Sequence, residues 1–284
     1  MKTILYATDY SENSVAALHF SYALSKVLNA ELMALHVFEL PLILASTVSY
    51  TYSRREVRAF ADYHKELISF CTEHLKNEPD PLKITWKIDE GKPASDIIIK
   101  NAKELKVDLI VIGTKGGSPM RKVFLGSNAT SLIDSAPCPV LAVPEDTDFQ
   151  GIKKMVYATD FEGVDILTIE KMVELAKPFD ADVHLVHILS KETDAGEDQM
   201  ERFKGLLRHK VGYGNIHFDL RFGEDVFETL QNYVDEIEPD IIAMLEREGH
   251  SLIKSLTHRN LVKRMKNEGN VPLLSYHKKN VGSL

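Results

Sequence analysis

Glycines and small polar residues in the first half of the chain stand where they could hold a phosphate. Gly113 ends an apolar run at 108–112, Gly116 follows three residues later, and Gly126 and Ser127 open a pattern typical of a helix. Glycine lets backbone N–H groups come close to an anion because no Cβ intervenes, and a helix N-terminus favours a phosphate. The loop therefore predicts a phosphate-binding site, and its charged side chains are all basic: Lys115, Arg121 and Lys122.

The loop differs from two common phosphate-binding motifs. It contains no G-x-x-x-x-G-K-[ST] sequence, and no G-x-G-x-x-G fingerprint follows the first strand pattern. A flexible, glycine-rich connection between a strand and a helix is the alternative interpretation. That alternative does not explain why the glycines stand at the end of the strand and at the start of the helix.

Alternating apolar patterns supply the elements that must position this loop. Continuous apolar runs predict strands that are buried on both faces, and apolar positions at helical spacing predict helices between them. Ser11 is a plausible N-cap for the first helix. This alternation indicates an α/β fold with a parallel sheet, in which ligands bind beyond the carboxyl ends of the strands. The predicted strands of the first half are 2–7, 31–38, 82–88, 108–112 and 139–143, and its helices are 12–28, 53–76, 94–105 and 126–135.

The chain contains an internal repeat. The stretch "YATD" at 6–9 returns at 157–160, an offset of 151 positions, and "VDLIVIG" at 107–113 aligns with "PDIIAML" at an offset of 132. The first copy therefore has 19 extra residues between positions 38 and 91. They form either a lid or partner surface, or a longer peripheral helix. We expect two domains, 1–146 and 152–279, and the second has strands near 153–158, 182–188, 216–221, 240–244 and 272–275.

Composition excludes several classes of protein. The net charge of −8 lacks the basic surplus of a nucleic-acid binder, and no apolar run reaches the roughly 18 residues of a membrane span. The two cysteines, Cys71 and Cys138, fit neither a disulfide framework nor a metal-ligand spacing. We therefore expect a cytoplasmic protein with no metal site, no nucleic-acid partner and no membrane partner.

The run Gly113-x2-Gly116-x9-Gly126-Ser127 resembles the ATP-binding signature of the universal stress protein family, Gly-x2-Gly-x9-Gly-Ser/Thr. "ILYATD", "ALHVF", "DLIVIGT" and "CPVLAVP" also fall where family members place theirs, and the resemblance covers the whole chain. It implies two tandem Rossmann-like (adenine nucleotide alpha hydrolase-like) domains, each a five-stranded parallel sheet flanked by helices. It also implies a stress-response regulator that binds ATP, with or without Mg²⁺. The copies would pack as an internal pseudo-dimer through their last strands, "PVLAV" and "PLLSY", and two chains would form a homodimer.

The resemblance assigns roles to residues of the first copy. Asp9 would hydrogen-bond the ribose or lie beside the adenine, and Val37 would offer backbone groups to the adenine edge. Ala7 stands where the family often has proline. Asn128, where valine is common, either adds a phosphate contact or is an ordinary polar residue of the first helical turn. Of the remaining residues, Ala7 and Thr8 would line the nucleoside pocket, Ile112 and Gly113 would pass beneath the ribose, and Gly116, Gly126, Ser127 and Asn128 would hold the phosphates.

The second copy lacks the motif. Its aligned residues are Leu245, Glu248, His258 and Arg259, so we expect no ATP there, and we expect Asp160 to be structural. Basic residues and histidines at 247–259 form either a different anion site or a solvated face.

Three functions compete at this point. One is nucleotide binding without turnover, another is slow ATP hydrolysis or phosphate transfer, and the third is a dimerisation scaffold that binds no nucleotide. Residues 113–130 contain no Asp, Glu or His that could act as a base before a nucleophile, which favours binding. We predict no catalytic residue.

We expect Gly116→Glu to abolish nucleotide binding while the protein stays folded. The substitution copies Glu248 of the second copy, and a like charge about 4 Å from a phosphate costs on the order of a few kcal/mol near a protein surface. Calorimetric titration with ATP measures the binding, and circular dichroism checks the fold. Retained affinity in the folded variant would show that this loop is not the phosphate site.

Overall fold

The structure is a computed structural model of the 284-residue chain, and it describes residues 1–39, 49–76, 84–114, 126–191, 194–246 and 271–281. Strands and helices alternate along it, as predicted. The first half contains β1 (Thr3–Thr8), α1 (Asn13–Val27), β2 (Glu31–Phe38), α2 (Ser49–His74), β3 (Ile84–Glu90), α3 (Ala94–Glu104), β4 (Leu109–Thr114), α4 (Ser127–Ser135) and β5 (Val140–Pro144).

The second half repeats this order. It contains β6 (Lys154–Ala158), α5 (Gly163–Ala176), a short 3-10 helix (Lys177–Phe179), β7 (Asp182–Leu189), α6 (Asp194–Lys210), β8 (Ile216–Phe222), α7 (Val226–Ile237), β9 (Ile241–Glu246), β10 (Leu273–His277) and α8 (Lys278–Val281).

All ten strands form one continuous sheet in the order β3-β2-β1-β4-β5-β10-β9-β6-β7-β8. Pairing is parallel within each half, and β5 pairs with β10 in the antiparallel direction. The two halves therefore have the same strand order and meet through their last strands. The predicted fold class, two tandem Rossmann-like units, is confirmed, and so is the predicted pairing of the two last strands.

The junction between the halves is apolar and symmetric. Leu141 of β5 pairs directly with Leu274 of β10, and their exposed fractions are 0% and 1%. The connection between the halves adds a second contact, because Phe149 lies 4.6 Å from the Phe20 ring and 6.2 Å from the Phe179 ring. The connecting segment thus joins α1 of the first half to the short 3-10 helix of the second.

Each face of the sheet carries its own apolar layer because side chains alternate along a strand. Ile4 and Tyr6 of β1 face the layer that contains residues of α1, α2 and α5. Leu5 and Ala7 face the layer that contains residues of α3, α4 and α7. Burial on both faces explains why β1 reads as a continuous apolar run.

The extra residues of the first half partly lengthen a helix. α2 has 26 residues, whereas α6, its counterpart, has 17. α2 also begins four residues before the predicted start at 53. The described part of this segment therefore forms a longer helix, and residues 40–48 lie outside the described residues.

No helix in the described part of the chain is long and apolar enough to cross a membrane.

Leu274→Ala should lower the free energy of unfolding by about 2–5 kcal/mol, because it opens a cavity at the junction of the halves. Leu206→Ala is the matched control, since Leu206 is 57% exposed, and it should change stability by less than about 0.5 kcal/mol. Urea unfolding followed by circular dichroism measures both. Equal effects of the two substitutions would contradict an apolar junction at Leu141 and Leu274.

Candidate functional site

A cleft of about 310 Å³ opens at the carboxyl ends of β1 and β4. These two strands are neighbours, but the chain leaves β1 towards β2 and β3 before it returns to β4. The strand order therefore reverses between them, and this is where α/β sheets usually bind ligands. The apolar layer with α3 and α4 lies on the same face of the sheet as the cleft.

Most residues predicted for the site lie around this one cleft, although they come from four separate segments of the chain. Ser127 begins α4 at the rim and is not among the lining residues, while Gly116 lies outside the described residues. The predicted residues that line the cleft are Ala7, Thr8, Asp9, Val37, Ile112, Gly113, Gly126 and Asn128.

The cleft also contains residues that sequence reasoning missed. Ser11, Asn13 and Ser14 reach it from the turn between β1 and α1, and Ala94 and Ile98 reach it from α3. The residues of the turn carry a usable signal, because they directly follow "YATD" at the end of a strand. The α3 residues carry none, since they read as the ordinary apolar face of an amphipathic helix.

Hydrogen bonds within the turn after β1 fix the Asp9 carboxylate. Oδ1 of Asp9 accepts from the Ser11 backbone N–H at 3.1 Å and from the Ser11 hydroxyl at 2.6 Å. The prediction that Ser11 is the N-cap of α1 is wrong: Glu12 occupies that position, and its side chain makes no capping bond. The Ser11 hydroxyl is used by Asp9 instead.

An aromatic contact holds this turn against the sheet. Tyr10 has a positive φ of 63°, its ring stacks on His36 with centroids 4.1 Å apart, and its hydroxyl donates to the Tyr63 carbonyl of α2. Burial lowers the pKa of His36, so the ring is neutral near pH 7, and its Nδ1 lies 2.8 Å from the Thr8 carbonyl oxygen. A neutral ring with a proton on Nδ1 donates to that carbonyl. His36 therefore has a structural role.

Two glycines at the cleft differ in whether protein packing requires them. A Cβ on Gly113 would lie 2.1 Å from the Asn13 carbonyl oxygen, so only glycine lets β4 pack this closely against the start of α1. Gly126 has an ordinary φ of −59°, and a Cβ there would meet no described atom within 4 Å. Protein packing in the described part of the chain does not require a glycine at 126, which leaves open space beside the cleft for a ligand.

The start of α4 lies beside this space. Gly126 is its N-cap and has no side chain, and the first turn contains no acidic residue. The first N–H groups of a helix have no partner within the helix, and they favour an anion. This end of the cleft can therefore hold a phosphate.

The second half uses the equivalent turn differently. Asp165 aligns with Ser14, is 0% exposed, and its carboxylate accepts from the Tyr157 and Thr159 hydroxyls at 2.7 and 3.0 Å. It also accepts from the backbone N–H groups of Asp160 and Glu162, at 3.2 and 3.0 Å. A carboxylate of the protein itself thus binds the amides at the start of α5.

The end of β9 is also filled. Leu245 aligns with Gly113 and is 2% exposed, and Glu246 aligns with Thr114 and is 4% exposed. The other aligned positions, Glu248, His258 and Arg259, lie outside the described residues. Within the described part of the chain, no group of three or more His, Cys, Asp or Glu side chains could hold a metal ion.

The sequence profile of the universal stress protein family matches residues 1–144, about half of the chain. The chain belongs to the universal stress protein family. A universal stress protein of Thermus aquaticus is 31% identical over 145 residues, which cover 50% of this chain and 98% of that relative. Another, from Methanocaldococcus jannaschii, is 29% identical over 144 residues, which cover 50% of this chain and 81% of that relative.

A solved structure extends the likeness in fold to the whole chain. The crystal structure of a universal stress protein from Archaeoglobus fulgidus superposes with a TM-score of 0.73 and covers 97% of this chain and 98% of that one. The two sequences are 17% identical, so the superposition shows the shared fold of both halves.

In this universal stress protein, Gly113→Ala should destabilise the fold much more than Gly126→Ala. Gly113→Ala should cost about 1–3 kcal/mol, because the new Cβ collides with backbone. Gly126→Ala should change stability by less than about 1 kcal/mol, since the loss of unfolded-chain entropy offsets a weaker cap. Urea unfolding, followed through the single tryptophan, Trp86, measures both. A Gly126→Ala variant that is as unstable as Gly113→Ala would contradict the open space beside Gly126.

Proposed function

We propose that this chain binds one adenine nucleotide, ATP, in the cleft of its first domain and acts as a nucleotide-sensing regulator of the stress response. The proposed domains are 1–146, with the site, and 152–279, without it. One observation carries the proposal: eight residues from four separate segments, all expected at a nucleotide site, surround a single cleft where the strand order reverses.

The lining of the cleft combines the two kinds of surface that a nucleotide requires. Leu35, Val37 and Ile98 make an apolar wall that suits a base. Gly126 and Asn128 at the start of α4 supply the backbone donors and open space that suit phosphates. Asp9 lies on the same cleft and can accept from sugar hydroxyls. The volume of about 310 Å³ is at the lower end of the range for ligand pockets.

Binding without turnover is the form of the proposal that the lining residues support. Asp9 is the one carboxylate among the described residues that line the cleft, which include no histidine or cysteine. Its Oδ1 is already bonded twice to Ser11. General-base catalysis needs a basic group within hydrogen-bond reach of the nucleophile, and efficient phosphoryl transfer uses bound Mg²⁺. We therefore propose that ATP hydrolysis is slow or absent, whether or not Mg²⁺ accompanies the nucleotide.

The second domain serves as the structural half in this proposal. Asp165 brings an internal negative charge to the amides at the start of α5, and Leu245 takes the position that glycine has in the first domain. An incoming phosphate would meet like charge there, and displacing Asp165 would break its hydrogen bond with the buried Tyr157 hydroxyl. Both features support one site per chain.

Location and assembly complete the proposal. We propose a cytosolic protein, and the two cysteines, Cys71 and Cys138, support this because both are free and buried. Burial raises the pKa of each thiol to about 12, so neither is a reactive thiolate near pH 7. Pairing of two chains into a homodimer stays a prediction from the family resemblance.

Calorimetric titration with ATP should give one site per chain, and the repeat offers a matched pair of variants. Asp9→Ala should weaken binding by about 10- to 100-fold, because it removes a charged acceptor of a hydrogen bond. Asp160→Ala, the same change in the second "YATD", should leave the affinity unchanged. A stoichiometry of two or zero, or equal losses in both variants, would contradict the proposal, and phosphate release in the same samples would reveal turnover.

A further inference from the structure

We infer that a cavity at the junction of the two halves, here called the junction cavity, binds a small aromatic carboxamide. The nucleotide cleft opens at the carboxyl ends of β1 and β4, whereas the junction cavity lies at the amino ends of β1, β4 and β5, where they meet α5 and β10. The two sites are therefore separate. The junction cavity is lined by residues of both halves, among them Val107, Asp108, Cys138, Lys171, Glu174 and Tyr276.

The internal repeat relates the junction cavity to a second, smaller cavity at the opposite end of the junction. The Asp108 carboxylate accepts from two backbone N–H groups at the start of β1, at 2.7 and 2.9 Å, and the aligned Asp240 carboxylate does the same at the start of β6, at 2.6 and 2.9 Å. Val107, Asp108, Pro139 and Lys171 line the junction cavity, and the residues aligned with them, Pro239, Asp240, Val271 and Phe20, line the smaller one.

The two cavities differ in size because a pair of phenylalanine rings is present only at the smaller one. Phe20 and Phe149 pack edge to face there, with ring centroids 4.6 Å apart. The positions aligned with them in the second half hold Lys171 and Val281. The junction cavity has a volume of about 270 Å³, compared with about 190 Å³ for the smaller cavity. A single aromatic ring fits this space, since an apolar cavity of about 150 Å³ is enough to hold benzene.

The wall of the junction cavity offers a buried hydrogen-bond donor. Tyr276 is 3% exposed and lines the cavity, and it stands where the first half has Pro144. Burial raises the pKa of the Tyr276 hydroxyl, so it stays protonated near pH 7 and can donate. No group in the described part of the chain forms a hydrogen bond with it. Because a buried hydroxyl without a partner is unfavourable, a ligand that places an acceptor at this point gains affinity.

Charges around the junction cavity favour a neutral polar group on the ligand. The charged side chains of the lining are the carboxylates of Asp108 and Glu174 and the ammonium of Lys171. A carboxylate on the ligand would meet two like charges, and an ammonium group has no acceptor for the Tyr276 hydroxyl. A carboxamide meets both requirements, because its carbonyl oxygen accepts from Tyr276 while its amide N–H groups donate to a carboxylate.

The first test is a titration of 4-fluorobenzamide with the full chain, followed by ¹⁹F NMR of the ligand. The intact protein should bind 4-fluorobenzamide at least about threefold more tightly than 4-fluorobenzoate or fluorobenzene. Tyr276→Phe should weaken the binding by about 3- to 10-fold, because it removes the donor. Tyr213→Phe is the matched control and should leave the affinity unchanged, since the Tyr213 hydroxyl donates to the Ala181 carbonyl at 2.6 Å.

The second test closes the junction cavity with a residue that the repeat itself supplies. Lys171→Phe copies the aligned Phe20 and should reduce the affinity for 4-fluorobenzamide by at least about tenfold, because the new ring occupies the space of the ligand. Lys171→Met is the control, since it has a similar length and no ring, and it should change the affinity by less than about threefold. Circular dichroism checks that each variant is folded.

Several results would overturn this inference. They are no binding of 4-fluorobenzamide to the intact protein, equal or tighter binding of fluorobenzene or 4-fluorobenzoate, and full affinity in both Tyr276→Phe and Lys171→Phe. Displacement of 4-fluorobenzamide by ATP would also overturn it, because the probe would then occupy the nucleotide cleft. Binding that survives saturating ATP and is lost in Lys171→Phe supports the junction cavity as a second ligand site.

Discussion

A fully buried tyrosine hydroxyl lies beneath the first helix of each domain, and the group that accepts its hydrogen bond determines the turn above it. Burial raises the pKa of Tyr6, so its hydroxyl stays protonated and must donate. Tyr6 donates to the Ser14 backbone carbonyl at 2.8 Å, whereas Tyr157 donates to the Asp165 carboxylate at 2.7 Å. An unpaired buried hydroxyl costs about 1–3 kcal/mol, so neither bond is dispensable.

These two acceptors of the tyrosine hydroxyl make the turns above it chemically different. In the first domain, the backbone satisfies the tyrosine, and the small Ser14 side chain leaves the cleft open between α1 and α4. In the second, the Asp165 carboxylate satisfies the tyrosine and then binds the amides of Asp160 and Glu162 as well. The sheet is nearly symmetric about the pairing of β5 with β10. The turns that follow β1 and β6 are nevertheless chemically different.

Much of the fold follows from local patterns, whereas the details of the site depend on contacts between distant residues. The strand predicted at 31–38 agrees with β2, because an apolar run bounded by polar residues marks both of its ends. The placement of Asp9 and Gly126 at one cleft followed from the topology of a parallel sheet. Ser11 was misassigned as a helix cap because serine suits that position, and nothing local shows that a neighbouring carboxylate competes for its hydroxyl. Sequence alone could not predict that Ala94 and Ile98 line the cleft, because their position depends on how α3 packs in three dimensions.

Hydrogen exchange with and without saturating ATP tests most directly the claim that one half of a duplicated chain binds the nucleotide. Bound ATP should slow amide exchange in peptides that cover 7–14 and 126–135, where the turn after β1 and the start of α4 meet the cleft. Exchange at 158–165, the equivalent turn of the second domain, should be unchanged. Equal slowing in both turns, or slowing in the second turn alone, would contradict the account.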